Sequence, residues 1–152
     1  MTSLEEGSVT DKADDFSSSL SFLLRRAHQM VDAAFVADLG KLDITACQVD
    51  VLRAVEDFPQ CSQQKLVELT GIDRSTIADV VKRLIKRGLL TRRRSKQDAR
   101  CYLVNLTPEG ERVVREATKA SEKTDATIAG ILTARASFDA HLEQIIASLK
   151  ER

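Results

Sequence analysis

The chain has 152 residues, 43% of them hydrophobic, and its 23 basic residues are balanced by 23 acidic ones. That length suits one domain, or one domain with an oligomerisation element, and no apolar run reaches the ~18 residues that a membrane-spanning helix needs. Two Pro, six Gly, no Trp and three scattered cysteines without CxxC spacing exclude a disulfide framework, and point to a mostly helical protein of a reducing compartment, the cytoplasm. Residues 1–10 read as a polar, disordered tail; the acidic start shows no secretory pattern. From Asp11 to Leu39, Phe16, Leu20, Leu23, Leu24, Ala27, Met30, Val31, Ala34 and Phe35 recur at steps of three and four, an apolar stripe on one long helix that Gly40 ends. Thr45-x-x-Gln48 is a capping box opening a helix through Val49, Leu52 and Val55 that stops before Pro59. Ser62 caps a short helix with Leu66, Val67 and Leu69, closed by Gly71, and Asp73 caps another with Ile77, Val80, Val81, Leu84 and Ile85, closed by Gly88. The period then shifts to two: Leu90–Arg93 and Cys101–Leu106 read as strands flanking the polar segment Arg94–Arg100. Thr107-Pro108 restarts a helix, and apolar residues from Val113 to Leu149 continue it almost to Arg152, with a joint expected near Thr133–Ser137.

The mean charge says nothing about partners, but its distribution does. Between Lys82 and Arg100 stand Lys82, Arg83, Lys86, Arg87, Arg92, Arg93, Arg94, Lys96 and Arg100 against a single acid, Asp98. This run coincides with a helix-turn-helix: the helix from Ser62, the turn at Gly71 and the helix from Asp73, with Leu66, Ile72 and Ile77 spaced to pin the pair. The second helix would enter the major groove of double-stranded DNA, presenting Arg74, Ser75, Thr76 and Asp79 to base edges, with Lys82 and Arg83 there or at phosphates. The hairpin that follows is a wing, whose Arg92, Arg93, Arg94, Lys96 and Arg100 would lie along phosphates or reach the minor groove.

The segments "LDITACQVDVL", "LVELTGIDRSTIADVVKRLIKRGLLTRR", "DAR" and "LVNLTPEG" resemble, in the same order, those of MarR-type winged-helix regulators over Leu42 to Gly110. The resemblance implies a homodimeric transcriptional regulator, most often a repressor, on a pseudo-palindromic operator, released by a small, often aromatic or phenolic, ligand. It makes Arg100 the wing-tip residue at the minor groove and Asp98 the residue that helps hold the wing. Asp79 departs from the pattern, since relatives often carry a neutral or basic groove reader there; it reads a base or positions Arg74 or Arg83.

The fold class expected is therefore mainly α: a winged helix-turn-helix lobe at 42–107, an N-terminal dimerisation helix at 11–41 and C-terminal dimerisation helices at 108–152. The outer helices carry apolar stripes that do not belong to the small lobe, so they would bury each other across a two-fold axis. That axis sets two recognition helices roughly 34–36 Å apart, and a ligand preferring another spacing would weaken DNA binding. Arg25, Arg26 and His28 on the first helix are candidates to meet a carboxylate ligand in the cleft between arms and lobe. Cys47, Cys61 and Cys101 read as structural thiols, Cys47 being the nearest to a reactive one because it lies at a helix start. No metal or cofactor is expected and no catalytic motif is present. Two alternatives are a winged helix that docks proteins and an architectural DNA-binding protein without a ligand.

Overall fold

A computed structural model describes residues 17–98 and 100–150. In chain order these form α1 (Leu20–Leu39), α2 (Ala46–Asp57), β1 (Cys61–Ser62), α3 (Gln63–Thr70), α4 (Arg74–Lys86), β2 (Leu90–Arg94), β3 (Tyr102–Leu106), α5 (Pro108–Ile131) and α6 (Arg135–Lys150). The tail expected at 1–10 and the helix start expected at Asp11 lie outside the described residues. The long first helix is not continuous. Ser17 and Ser18 are helical, but Ser19 is extended and accepts the Phe22 N–H at 3.4 Å, so it caps a fresh helix. In a run of three serines, side chains compete with the helical backbone for its donors.

The local rules explain the central lobe. At the start of α2 the Thr45 hydroxyl accepts the Gln48 N–H (3.3 Å) and the Gln48 side chain accepts the Thr45 N–H (3.2 Å), a complete capping box. Gly71 ends α3 in the left-handed region (φ 71°), which lets α4 start three residues later and cross α3 as the second half of a helix-turn-helix. Leu66 and Ile77 pin the pair with no exposed surface, and Ile72 packs on the same core, whereas Leu69 faces outward. Most of the remaining core comes from Val49, Val51, Leu52 and Val55 of α2, Val80, Val81 and Leu84 of α4, Leu90 and Val104 of the sheet, and Val113, Val114 and Ala117 of α5. Phe35 and Leu39, in the last turns of α1, close it.

The sheet has three strands rather than two, ordered β1-β3-β2 and antiparallel throughout. The two-residue strand β1 pairs Cys61 with Val104 and Ser62 with Leu103. It is too short to show an alternating pattern. The hairpin pairs Leu90 with Leu106, Arg92 with Val104 and Arg94 with Tyr102, so Arg94 belongs to the strand and not to the loop, while Cys101 falls outside β3. Thr107 then fastens α5 to the hairpin's base: its hydroxyl donates to the Gly88 carbonyl at 2.6 Å, and its N–H to that of Leu89 at 3.1 Å. The joint between the last two helices spans Leu132–Ala134, with Leu132 extended, and so overlaps the expected position.

α1 and α5 are joined by a charged cross-link. Asp38 faces Lys123 Nζ at 2.6 Å and accepts the hydroxyl of buried Thr124 at 2.8 Å. The Lys123 bond, then that of Thr124, holds the Asp38 carboxyl below its ordinary range. A depressed carboxylate stabilises the fold above its unfolded-state value, and that contribution is lost as pH falls through the folded one. Asp38→Asn is expected to melt at a lower temperature than the natural protein at neutral pH, with the gap closing below about pH 4. Thermal melts of both proteins across pH check this; a gap that persists in acid would assign the effect to shape and not to charge.

Candidate nucleic-acid interface

Two elements carry the cationic surface. On α4, Ile77, Val80, Val81 and Leu84 face the core, leaving Arg74, Ser75, Asp79, Lys82, Arg83 and Lys86 exposed on the other side. The start of α4 is more ordered than a simple cap. Asp73 accepts the Thr76 N–H (2.9 Å), the Ser75 hydroxyl (2.6 Å) and the Thr76 hydroxyl (2.5 Å). These donors, that of Ser75 foremost, hold the Asp73 carboxyl far below the usual carboxylate range. Sequence reading gave Asp73 only its capping role. The signal was present in the spacing Asp73-x-Ser75-Thr76, which places two hydroxyls within reach of one cap. Asp79 is exposed, and among the described residues it pairs with neither Arg74 nor Arg83, so the expected positioning role has no contact behind it. Arg87, in the same basic run and also exposed, leans on the Gln48 side chain (3.5 Å) and lies 4.0 Å from Asp43.

The wing divides its arginines. Strand alternation puts Arg92 and Arg94 on the face of Leu90 and Val104, and Arg93 on the opposite face with Thr91. Tyr102 holds the first pair. The Arg92 guanidinium lies 4.9 Å and that of Arg94 5.7 Å from its ring centre, and Arg94 Nε donates to its hydroxyl at 3.2 Å. The Arg94 bond and charge draw the Tyr102 phenol below its ordinary range. The opposite face bears a groove of about 590 Å³ lined by Gln60, Thr91, Arg93, Lys96, Gln97 and Asn105, among others. Asn105 accepts the N–H of Gln60, a non-glycine residue at positive φ (58°), and so ties the turn before β1 to the wing. Tyr102 and Asn105 escaped the sequence reading because their partners lie across the sheet.

At the tip, Ser95 N–H donates to the Cys101 carbonyl at 2.8 Å and Cys101 N–H to the Asp98 carbonyl at 2.9 Å. The Asp98 carboxylate accepts the Arg100 N–H at 2.9 Å, and no ion pair joins their side chains among the described residues. Asp98 thus bends the backbone, and the exposed Arg100 side chain is left available. Lys96 lies close by in the same tip.

The remaining candidates sit away from this face. Arg25, Arg26 and His28 are on α1, and His28 Nε2 lies 3.5 Å from Asp32. Burial, then the charges of Asp50, Asp73 and Asp32, push the Cys47 thiol up, and burial does the same for Cys61. Burial first, and the acidic neighbours after it, disfavour the Cys47 thiolate, against what the helix start alone leads one to expect.

The sequence model of the MarR family matches residues 42–100, spanning α2 to the wing tip. Over 111 residues the chain is 35% identical to the transcriptional regulator HosA of Escherichia coli O127:H6, covering 73% of this chain and 81% of HosA. The chain belongs to the MarR family. As a MarR-family protein it is a DNA-binding transcriptional regulator and not an enzyme. Its fold is similar to that of the PcaV transcriptional regulator from Streptomyces coelicolor in complex with its natural ligand, with a TM-score of 0.82 at 29% identity over 98% of this chain and 99% of PcaV. It is likewise similar to BpsR of Bordetella bronchiseptica, whose DNA binding is regulated by 6-hydroxynicotinic acid, with a TM-score of 0.76 at 33% identity over 88% of this chain and 96% of BpsR. The winged helix-turn-helix lobe expected from the sequence is thus the one this MarR-family chain has. No helix among the described residues is long and apolar enough to cross a membrane.

Proposed function

We propose that the protein is a cytoplasmic homodimeric repressor that binds a pseudo-palindromic operator and is released by a small aromatic carboxylate or phenol. The observation that carries the dimer is α6. Not one of its sixteen residues is buried, although it bears Phe138, Ile146 and Leu149. The N-terminal half of α1 is exposed too, with Leu20 at 67%, and Ile131 at the end of α5 stands at 74%. Exposed apolar residues on α1, at the end of α5 and along α6 are best accounted for by a second copy.

In this reading α4 enters the major groove with Arg74, Ser75, Thr76 and Asp79 at base edges and Lys82 and Arg83 beside them. Arg92, Arg93, Arg94, Lys96 and Arg100 take phosphates or the minor groove, and Asp98 shapes the tip. The ligand lies between the arms and the lobe, where Arg25, Arg26 or His28 supplies a partner for its carboxylate; the regulation of BpsR by 6-hydroxynicotinic acid supports that chemistry. Because the arms set the spacing of the two recognition helices, a ligand preferring another spacing lowers DNA affinity by its differential affinity for the two arrangements.

Sedimentation and duplex selection test this together. A dimer at micromolar concentration is expected, with selected duplexes showing two related half-sites about one helical turn apart and released by 6-hydroxynicotinate or a hydroxybenzoate. Ile146→Glu is expected to weaken dimer and operator binding in parallel. A monomer that binds duplex as well as the natural protein does would overturn the reading.

A further inference from the structure

The hydroxyls of Ser75 and Thr76 each have one proton, and in this structure both protons go to the same carboxylate. Ser75 Oγ donates to one oxygen of Asp73 at 2.6 Å and Thr76 Oγ1 to the other at 2.5 Å, while the Thr76 N–H fixes the first oxygen at 2.9 Å. A carboxylate only accepts, so neither hydroxyl can reverse its bond without losing a charge-assisted partner. What each oxygen shows to the surroundings is therefore its lone pairs.

We propose that Asp73 is a specificity-determining residue: it makes Ser75 and Thr76 obligate acceptors, so that they read the exocyclic amine of an adenine or a cytosine. This rests on the reading that α4 enters the major groove. There, the donors are the N6 amine of adenine and the N4 amine of cytosine, whereas N7, O6 and O4 only accept. Phosphate oxygens also only accept, so these hydroxyls cannot clamp the backbone by donation either. Arg74 is the opposite case, with five donors and no acceptor. Adjacent positions on the first turn of α4 thus have opposite polarity: Arg74 fits guanine, and the two hydroxyls fit bases that guanine and thymine cannot replace. A free serine or threonine would rotate its proton to suit any base edge. The carboxylate that prevents this sits at the positive end of the helix, which favours it there.

Single-group base analogues test the assignment on the strongest duplex selected from a random pool. Each adenine or cytosine is replaced in turn by purine or 2-pyrimidinone, which lack the exocyclic amine, and separately each purine by its 7-deaza form, which lacks the N7 acceptor. We expect the natural protein to bind at least one amine-deleted duplex about tenfold more weakly, and Thr76→Val or Ser75→Ala to show no further loss on that same duplex. Asp73→Asn keeps an oxygen for the helix cap, but its amide nitrogen donates to Thr76 Oγ1 and frees that hydroxyl's proton; this variant is expected to lose its sensitivity to the amine facing Thr76. Should Asp73→Asn fail to fold, the Thr76→Val and Ser75→Ala couplings decide alone. Coupling of either side chain to a 7-deaza position, or to no analogue at all, would overturn the assignment while leaving DNA binding intact. Selection of no duplex would overturn the groove reading and this assignment with it.

Discussion

Replacing Gly110 by alanine is expected to destabilise the fold by at least about 3 kcal/mol, although alanine is the better helix former by about 1 kcal/mol. Gly110 is buried in the first turn of α5, where its N–H donates to Thr107 Oγ1 at 3.0 Å. A methyl group there would stand 2.2 Å from the Leu89 carbonyl oxygen and 3.2 Å from Leu106 Cδ2. The first of these is backbone, and it is the same carbonyl that accepts the Thr107 N–H. The helix would have to withdraw from the base of the hairpin, loosening the Thr107 bonds that attach α5 to Gly88 and Leu89. Denaturant unfolding of Gly110→Ala beside Glu111→Ala checks this. The second variant changes an exposed residue of the same turn and should stay within about 0.5 kcal/mol of the natural protein. Equal stability of the two variants would show that α5 does not need so close an approach.

Gly110 also marks a boundary of what the sequence reveals. In "LVNLTPEG" the Thr-Pro pair is a visible helix start, because capping is a rule about neighbours in the chain. The demand for a residue without a side chain at Gly110 is set by Leu89, 21 positions earlier, and no local pattern carries it. The same division runs through the molecule. The capping box at Thr45, the left-handed Gly71 and the apolar faces of α3 and α4 are local, and apart from Leu69, which faces outward, they assemble as the spacing predicts. The strand β1 exists because β3 offers it an edge, and Tyr102 matters because pairing brings Arg94 opposite it. The candidate interface was legible as charge, while its internal order was not. The triple arginine at 92–94 reads as one cationic block, but a strand sends alternate residues to opposite faces. Arg87 counts in the same run, but faces Gln48 and Asp43.

That sorting yields the second large effect, on binding rather than stability. Arg74 opens α4, is exposed, and has no ion-pair partner among the described residues, so its five donors are available to a base edge. Arg74→Ala is expected to weaken binding to the selected operator by about 1–3 kcal/mol, roughly five- to 150-fold, and to relax discrimination at one base pair of each half-site. Non-specific duplex should be affected much less. Arg93→Ala and Arg100→Ala should behave differently. Removing a wing cation that lies on phosphate weakens all duplexes by a similar factor, and lowers the slope of log affinity against log salt by about 0.9 for each phosphate that is no longer neutralised. Arg87→Ala serves as the comparison: its guanidinium already lies against Gln48 and Asp43, so its effect on the slope should be smaller than theirs. Titrations of operator and scrambled duplex at several salt concentrations distinguish these patterns. An Arg74→Ala variant that loses operator and scrambled duplex equally would move this residue from base reading to backbone contact. An unchanged slope in both Arg93→Ala and Arg100→Ala would take the wing off the DNA altogether.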